Sequence, residues 1–435
     1  GWLQFGVQFR DIMKNRPTVC IPDDHDIGHG NLWGEGGKKS DGSSGNTGGG
    51  YSYPASFVRM IERQQTWNLP DPFDSTPVKQ DIGVYYTDLT VGGINFAILE
   101  DRKFKSGPKG KIPKMGPRYD HINDPTYDRE SVNLPGLTLL GDRQLKFLDH
   151  WTRDWTGASM KAVLSQTAFC GAVHMHGEGT DRLLADLDCN GWPQAGRNRA
   201  LVRLRAVRAT HLCGDQHLSV VVKHGIEEFR DGPMAVTSPA LVNTIYGRWW
   251  WPENEQAGSG APVDSTLPWV GDYQDGLGNK ITMLAYANPE QLSKKDLHAD
   301  SSRQNRGDGY GLAYFNKKTD NIKFEAWPRF SDHTQGDSAQ FEGWPISFNV
   351  TENDGRKPVA QLETVELPAE NAVVELTNAE TGELIYCYRV KGKTFQAPVY
   401  SAGTFTLRAG KDRPDKTLLE AVPAGKKKWW NIFGF

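Results

Sequence analysis

Between residues 94 and 213 the chain alternates short apolar runs with amphipathic stretches, and this alternation constrains the fold more than any other feature. Ile94–Leu99, Lys161–Phe169 and Ala209–Cys213 each read as a buried strand. Leu145, Leu148, Trp151 and Trp155 recur at near-helical spacing behind Asp142, read as the N-cap. Ala200, Leu201, Leu204 and Val207 form the inward face of a second helix, over about 196–207. Strands and helices in that rhythm must cover one another's apolar faces, which predicts a layered α/β arrangement.

The flanking segments fit around that unit. Trp2, Phe5, Phe9, Ile12 and Met13 predict an opening helix that Arg16-Pro17 ends, and Pro17–Ile21 then reads as a short buried strand. Ala55–Thr66 returns to helical spacing, and residues 83–91 form a further strand. The glycine-rich stretch 28–50 is a loop, and its 34–50 part is read as a lid, a substrate-contacting loop or a disordered insertion. Its Gly-Lys-Lys-Ser (37–40) lacks the GxxxxGK[ST] spacing, which excludes a nucleotide P-loop. Tyr310–Phe315 with Asn321–Trp327 predicts a hairpin, and the short alternating runs of 356–422 predict a small β-sandwich. The chain therefore divides into residues 1–345, a β module over 356–422 and a basic, aromatic tail over 423–435 containing Lys426–Trp430.

Composition removes several function classes. Fifty basic residues against 53 acidic give a formal charge of −3, which argues against a broadly basic nucleic-acid binder. With 14 Trp, 14 Tyr and 18 Phe the chain is not of disordered composition. No apolar run approaches the roughly 18 residues a spanning helix needs. The five cysteines form no CxxC and, being odd in number, no complete disulfide set; buried free thiols are expected.

Two clusters carry the chemistry. Asp23-Asp24-His25-Asp26 follows the first apolar run, and Gly214-Asp215-Gln216-His217 follows the run at 209–213. Ligands gather beyond the carboxyl ends of strands in open α/β sheets, so both clusters are placed on one crevice. An Asp-rich run alone is more often a surface turn; two of them, each after an apolar strand, point to a cation that neutralises them. Carboxylate with imidazole suits Fe, Zn, Mn or a harder ion such as Ca. His211 reads as a strand residue, and the His174-Met175-His176 pair as a substrate contact or solvated loop rather than a ligand set. Trp249–Trp251 is expected to pack beneath a long loop.

"RPTVCIPDDHDIGHGNLW", "FAILEDRKFK", "LGDRQLKFLDHW", "DCNGWPQAGR" and "HLCGDQH" occur in an order that resembles PhoD-type alkaline phosphatases of the calcineurin-like metallophosphoesterase superfamily. The resemblance covers about residues 1–245 and implies a metallophosphoesterase-like β-sandwich flanked by helices, with the small all-β domain appended. It implies Asp24, Asp215 and His217 as metal ligands. It places the family's acidic ligand position on Asn190, which brings a carbonyl oxygen but no charge. Arg102, in Leu99-Glu100-Asp101-Arg102, matches a residue on the phosphate side. The family's first two blocks lie upstream of Gly1, so the chain is read as N-terminally incomplete. The family's habit implies a secreted or periplasmic location.

The function implied is metal-dependent hydrolysis of phosphomonoesters or phosphodiesters, through a hydroxide activated by two or more metal ions, Fe and Ca first, Zn or Mn as alternatives. His25, beside Asp24, is assigned as general acid for the leaving oxygen, its other reading being a positioning residue or a ligand. The partner is a phosphate ester, with no specific nucleic acid and no transmembrane segment; the β module is a candidate for surface contact. Two alternatives stand beside this reading: a degenerate, non-catalytic phosphatase-fold binding protein, and a metal-dependent hydrolase of another ester.

Overall fold

A computed structural model describes residues 6–28, 30–176, 181–241, 248–252, 265–289 and 307–424. The tail with Lys426–Trp430, and Trp2 and Phe5 of the expected opening helix, lie outside these residues. What is described of that helix includes α1 (Arg10–Asn15), which buries no residue. Among the described residues the expected strand at 17–21 pairs with no other strand. With Pro17 and Pro22 at its ends, two backbone donors are missing where a ladder would need them.

The centre is one eight-stranded mixed sheet. In chain order, after α2 (Ala55–Thr66), its elements are β1 (Thr87–Val91), β2 (Ile94–Ile98), α3 (Gly141–Trp151), β3 (Met160–Thr167), α4 (Gln194–Ala206) and β4 (Thr210–Gly214). β5 (Val220–His224), β6 (Met234–Thr237), β7 (Gly271–Gln274) and β8 (Lys280–Tyr286) complete it. The order across the sheet is β1-β2-β3-β4-β6-β5-β8-β7. β2, β3, β4 and β6 run parallel, with Ile98 opposite Leu164 and Thr167 opposite Gly214. Their carboxyl ends therefore open on one side. The remaining neighbours are antiparallel.

The pleat sends alternate residues of β2 and β3 to opposite layers. Ala97, Leu99 and Val163 meet Leu148 and Trp151 of α3 and Leu201 and Leu204 of α4. Ile94, Met160 and Ala162 meet a three-stranded sheet, β9 (Gly309–Asn316), β10 (Asn321–Pro328) and β11 (Ile346–Asn349), through Ile322 and Phe348. The observed architecture is thus mixed α/β, a large central sheet with helices on one face and a small sheet on the other. Leu140, not Asp142, caps α3; Asp142 sits in its first turn, where a carboxylate still complements the helix dipole. Arg197 and Arg205 of α4 are buried, because backbone oxygens of Phe169 and Gly225 and the Asp231 carboxylate receive their guanidinium groups.

Residues 360–424 form two facing sheets: β12 (Ala360–Glu366) with β15 (Thr394–Val399), and β14 (Leu384–Arg389), β13 (Val373–Asn378), β16 (Gly403–Gly410) and β17 (Lys416–Ala424) in that spatial order. On β14, Tyr386, Cys387 and Tyr388 are all buried, so the strand has no solvent face. One side faces the sandwich interior and the other rests on α4, giving a hydrophobic cluster that runs without interruption from Leu201 to Leu407. All five cysteines are free, four of them buried.

Candidate metal centre

The site is built on the open ends of β2, β3 and β4. Asp24 caps a single 3-10 turn, His25–Ile27, its Oδ1 accepting from the His25 amide at 2.8 Å. Gly28 ends that turn at φ +81°, a left-handed conformation that favours glycine. Gln166, near the end of β3, donates to Asp23 and ties this turn to the sheet. β4 stops at Gly214, and Asp215 (φ +64°) and His217 (φ +51°) then take left-handed conformations that non-glycine residues adopt only under strain.

These turns bring one carboxylate oxygen each of Asp23, Asp24 and Asp215 within 4.8 Å of one another. Burial, and then the charges of Asp23 and Asp215, push the Asp24 carboxyl well above its ordinary range. Burial raises Asp215 to about 6 against the pull of Arg102. Arg102 lies between the acids at 3 % exposure, its Nη2 donating to Asp215 at 2.7 Å and its Nη1 to the Asp188 carboxylate and main chain. For Asp188 burial acts upward, but Arg102 and Lys105 outweigh it and hold the group at about 2. Lys105 delivers its ammonium to the carbonyl oxygens of Asp188 and Cys189, at 2.6 and 2.9 Å.

Asn190 is fully buried. Its Nδ2 donates to Asp101 Oδ2 at 2.6 Å, and Asp101 also accepts from the Thr167 amide at 3.0 Å. Its Oδ1 has no hydrogen-bond partner among the described residues. A buried amide oxygen left without a donor is what a hard cation satisfies, so the chain's own atoms fit an oxygen-ligated metal. His25 is exposed beside Asp24, and His217 is half-buried two residues beyond Asp215.

The sequence had singled out Asp24, Asp215, Arg102, Asn190, His25 and His217. The structure draws Asp24 and Asp215 together with Asp23, sets Arg102 among them, and leaves Asn190 bonded to Asp101. Asp188 and Lys105 were missed, although Asp188 stands immediately before the quoted DCNGW block's cysteine. His174 and His176 do not join the three aspartates. His174 accepts from the Trp251 amide at 3.0 Å, and His176 lies 3.7 Å from Asp186 with its ring 5.8 Å from His121. Asp120, His121 and Asp186 form a second group whose ligand atoms lie within 4.8 Å. No sequence signal marked it, because it is assembled from a two-residue pairing of His121–Ile122 with Ala185–Asp186. His211 is a buried residue of β4, and Trp249 and Trp250 are buried while Trp251 is exposed. The described residues of the 28–50 loop are folded, with Trp33 and Asn46 buried.

No family model matches the chain, and no curated protein matches it. Among solved structures it is similar to one titled "Structure of PhoD", at 15% sequence identity and a TM-score of 0.41, over 70% of this chain and 48% of that one. The chain thus spans about half the length of that structure. Among the described residues no helix is long and apolar enough to cross a membrane.

Proposed function

We propose that the chain is a metal-dependent phosphoric ester hydrolase acting at the Asp23, Asp24 and Asp215 cluster. The observation that carries the reading is the convergence of those three carboxylates at the open ends of parallel strands, with Asn190 Oδ1 buried and without a donor. The ordered motifs set out above favour a phosphate ester over other esters. Oxygen donors of this kind favour hard ions, calcium among them; the converging group is Asp23, Asp24 and Asp215 and does not include His217, two residues beyond Asp215, whose nitrogen iron, zinc or manganese would call for.

A cation bound there supplies Lewis-acid charge to the phosphoryl oxygens and to the attacking water. The chain's own residues set the stage for it. Gln166 fixes Asp23, the His25 amide fixes Asp24, and Arg102 fixes Asp215, so the oxygens are oriented before any ligand arrives. His25 is exposed beside Asp24 and is assigned as the general acid for the departing oxygen. Both η nitrogens of Arg102 are engaged by carboxylates, so its contribution to phosphate is through charge.

The test is turnover of p-nitrophenyl phosphate, its bis-ester and p-nitrophenyl sulfate by the chelated chain after addition of Ca, Mn, Zn or Fe. Metal-restored hydrolysis of a phosphate ester, with metal retention lost in Asp24→Asn, is expected. Retention of metal by Asp24→Asn as in the wild type would remove the site from this cluster. Sulfate turnover without phosphate turnover would reassign the substrate. A non-catalytic binding scaffold is the second reading, favoured by Arg102 already neutralising part of the acid; metal binding without turnover of any ester would select it.

A further inference from the structure

A cavity of about 440 Å³ opens where the start of β3, the end of α4, the β9–β10 turn and strand β14 meet. β3 separates it from the aspartate cluster. At roughly 3.3 Å per residue that strand spans on the order of 20 Å, so the two sites lie at opposite ends of the sheet.

Six basic side chains line the cavity, and their hydrogen bonds divide them. Lys161 donates to the main-chain oxygens of Trp151 and Asp154 and to Asn95 Oδ1. Arg389 donates to those of Ala158 and Trp155 and pairs with Asp412 at 2.9 Å, and Lys391 pairs with Asp320 at 2.6 Å. Lys317, Lys318 and Arg208 have no ion-pair partner among the described residues. The other lining acid, Glu370, is exposed.

Arg208 is the informative one. It follows α4 at φ +54°, and the Ala209 amide returns to the Leu204 carbonyl at 3.0 Å, a helix ending at which glycine is the unstrained choice. An arginine accepted there is held for its side chain, which stacks over the Tyr388 ring at 3.7 Å from the centroid. Stacking uses the face of the guanidinium; among the described residues its in-plane N–H groups meet no hydrogen-bond acceptor, and Nε is buried. A planar donor edge, two uncommitted ammonium groups and an enclosing cavity are what a tetrahedral oxyanion requires.

We propose that this cavity is a binding site for a multiply charged oxyanion, the phosphate or sulfate group of a small molecule, separate from the aspartate cluster and independent of the hydrolase reading. The test is calorimetric titration of the chelated chain with inorganic phosphate, pyrophosphate and sulfate at constant ionic strength. Saturable binding to one site is expected, weakened about tenfold or more in Arg208→Gly and in Lys317→Ala/Lys318→Ala, and unchanged in Asp215→Asn. Arg208→Gly removes the guanidinium while suiting the positive φ, so its melting temperature stays close to that of the wild type and lost binding is not lost folding. A preference for phosphate or for sulfate names the group the site takes. No saturable binding, undiminished affinity in Arg208→Gly, or loss in Asp215→Asn would each overturn the proposal.

Discussion

Arg102 donates from Nη2 to Asp215 Oδ2 at 2.7 Å, with the two side chains only 3% and 10% exposed. The same guanidinium holds Asp188, so one internal cation supports two carboxylates at the mouth of the sheet. Burying several acids together is tolerable only if positive charge is built in or borrowed, and here part of it is built in.

Replacing that cation with an apolar side chain leaves buried acids uncompensated. Arg102→Met is expected to lose about 3 kcal/mol of stability in the presence of chelator. Calcium should recover more stability in this variant than in the wild type, because the bound ion then replaces the missing charge. Urea unfolding with and without calcium reads both effects. A chelated variant as stable as the wild type would show that the guanidinium does not hold the site together.

Asn190 departs from the acidic residue its motif leads one to expect, and the structure supplies a reason. Its amide N–H donates to Asp101, which is itself buried, desolvated and raised in pKa. Asn190→Asp would set two carboxylates in contact and remove that donor. The chelated variant should lose about 2 kcal/mol or more, visible as a lower melting temperature; equal melting temperatures would place the Asn190–Asp101 bond outside the stability of the site.

The α/β rhythm was legible because β2, β3 and β4 are buried on both faces and α3 carries one apolar stripe; periodicity reports burial directly. The Asp215 turn was legible for the same reason, since it follows a patterned strand, whereas the Asp24 turn was legible only through its own acidic run and motif. The 17–21 segment was misread because apolar residues there carry no ladder partner. Arg102's pairing with Asp188, 86 residues distant, has no local signature. Neither has the Asp120, His121 and Asp186 group, which depends on a two-residue strand pair no pattern announces.

Lys103 Nζ lies 2.8 Å from both Glu62 and Glu100, all three buried, so two carboxylates share one ammonium. Burial first, and the Glu62 charge with it, raise Glu100 to about 7 despite Lys103. Between the unfolded value of 4.5 and about 7 the folded chain holds a proton that the unfolded chain releases. Stability from this group is therefore full below the lower value and declines as pH rises through the upper, by on the order of 2 kcal/mol. Glu100→Gln keeps an oxygen for the Tyr85 amide and should flatten that slope. An unchanged slope from pH 4.5 to 7 in Glu100→Gln, measured by urea unfolding, would assign the titration elsewhere.

The C-terminal sandwich reads as a separate module in sequence, yet its energetics should not be separate. Tyr388 of β14 belongs to the same apolar cluster as Leu201 and Leu204 of α4, and Arg389 bonds the Ala158 and Trp155 carbonyls from across the boundary. Arg153 reaches the buried Glu375 of β13 in the opposite direction. Two units that share a core cannot unfold one at a time without exposing that core, so calorimetry should show a single cooperative transition. A chain ending at residue 355 should expose the apolar face of α4, bind a hydrophobic dye and aggregate. Two resolved transitions, with the truncated chain monomeric and melting as the body does in the full chain, would establish the sandwich as an independent domain.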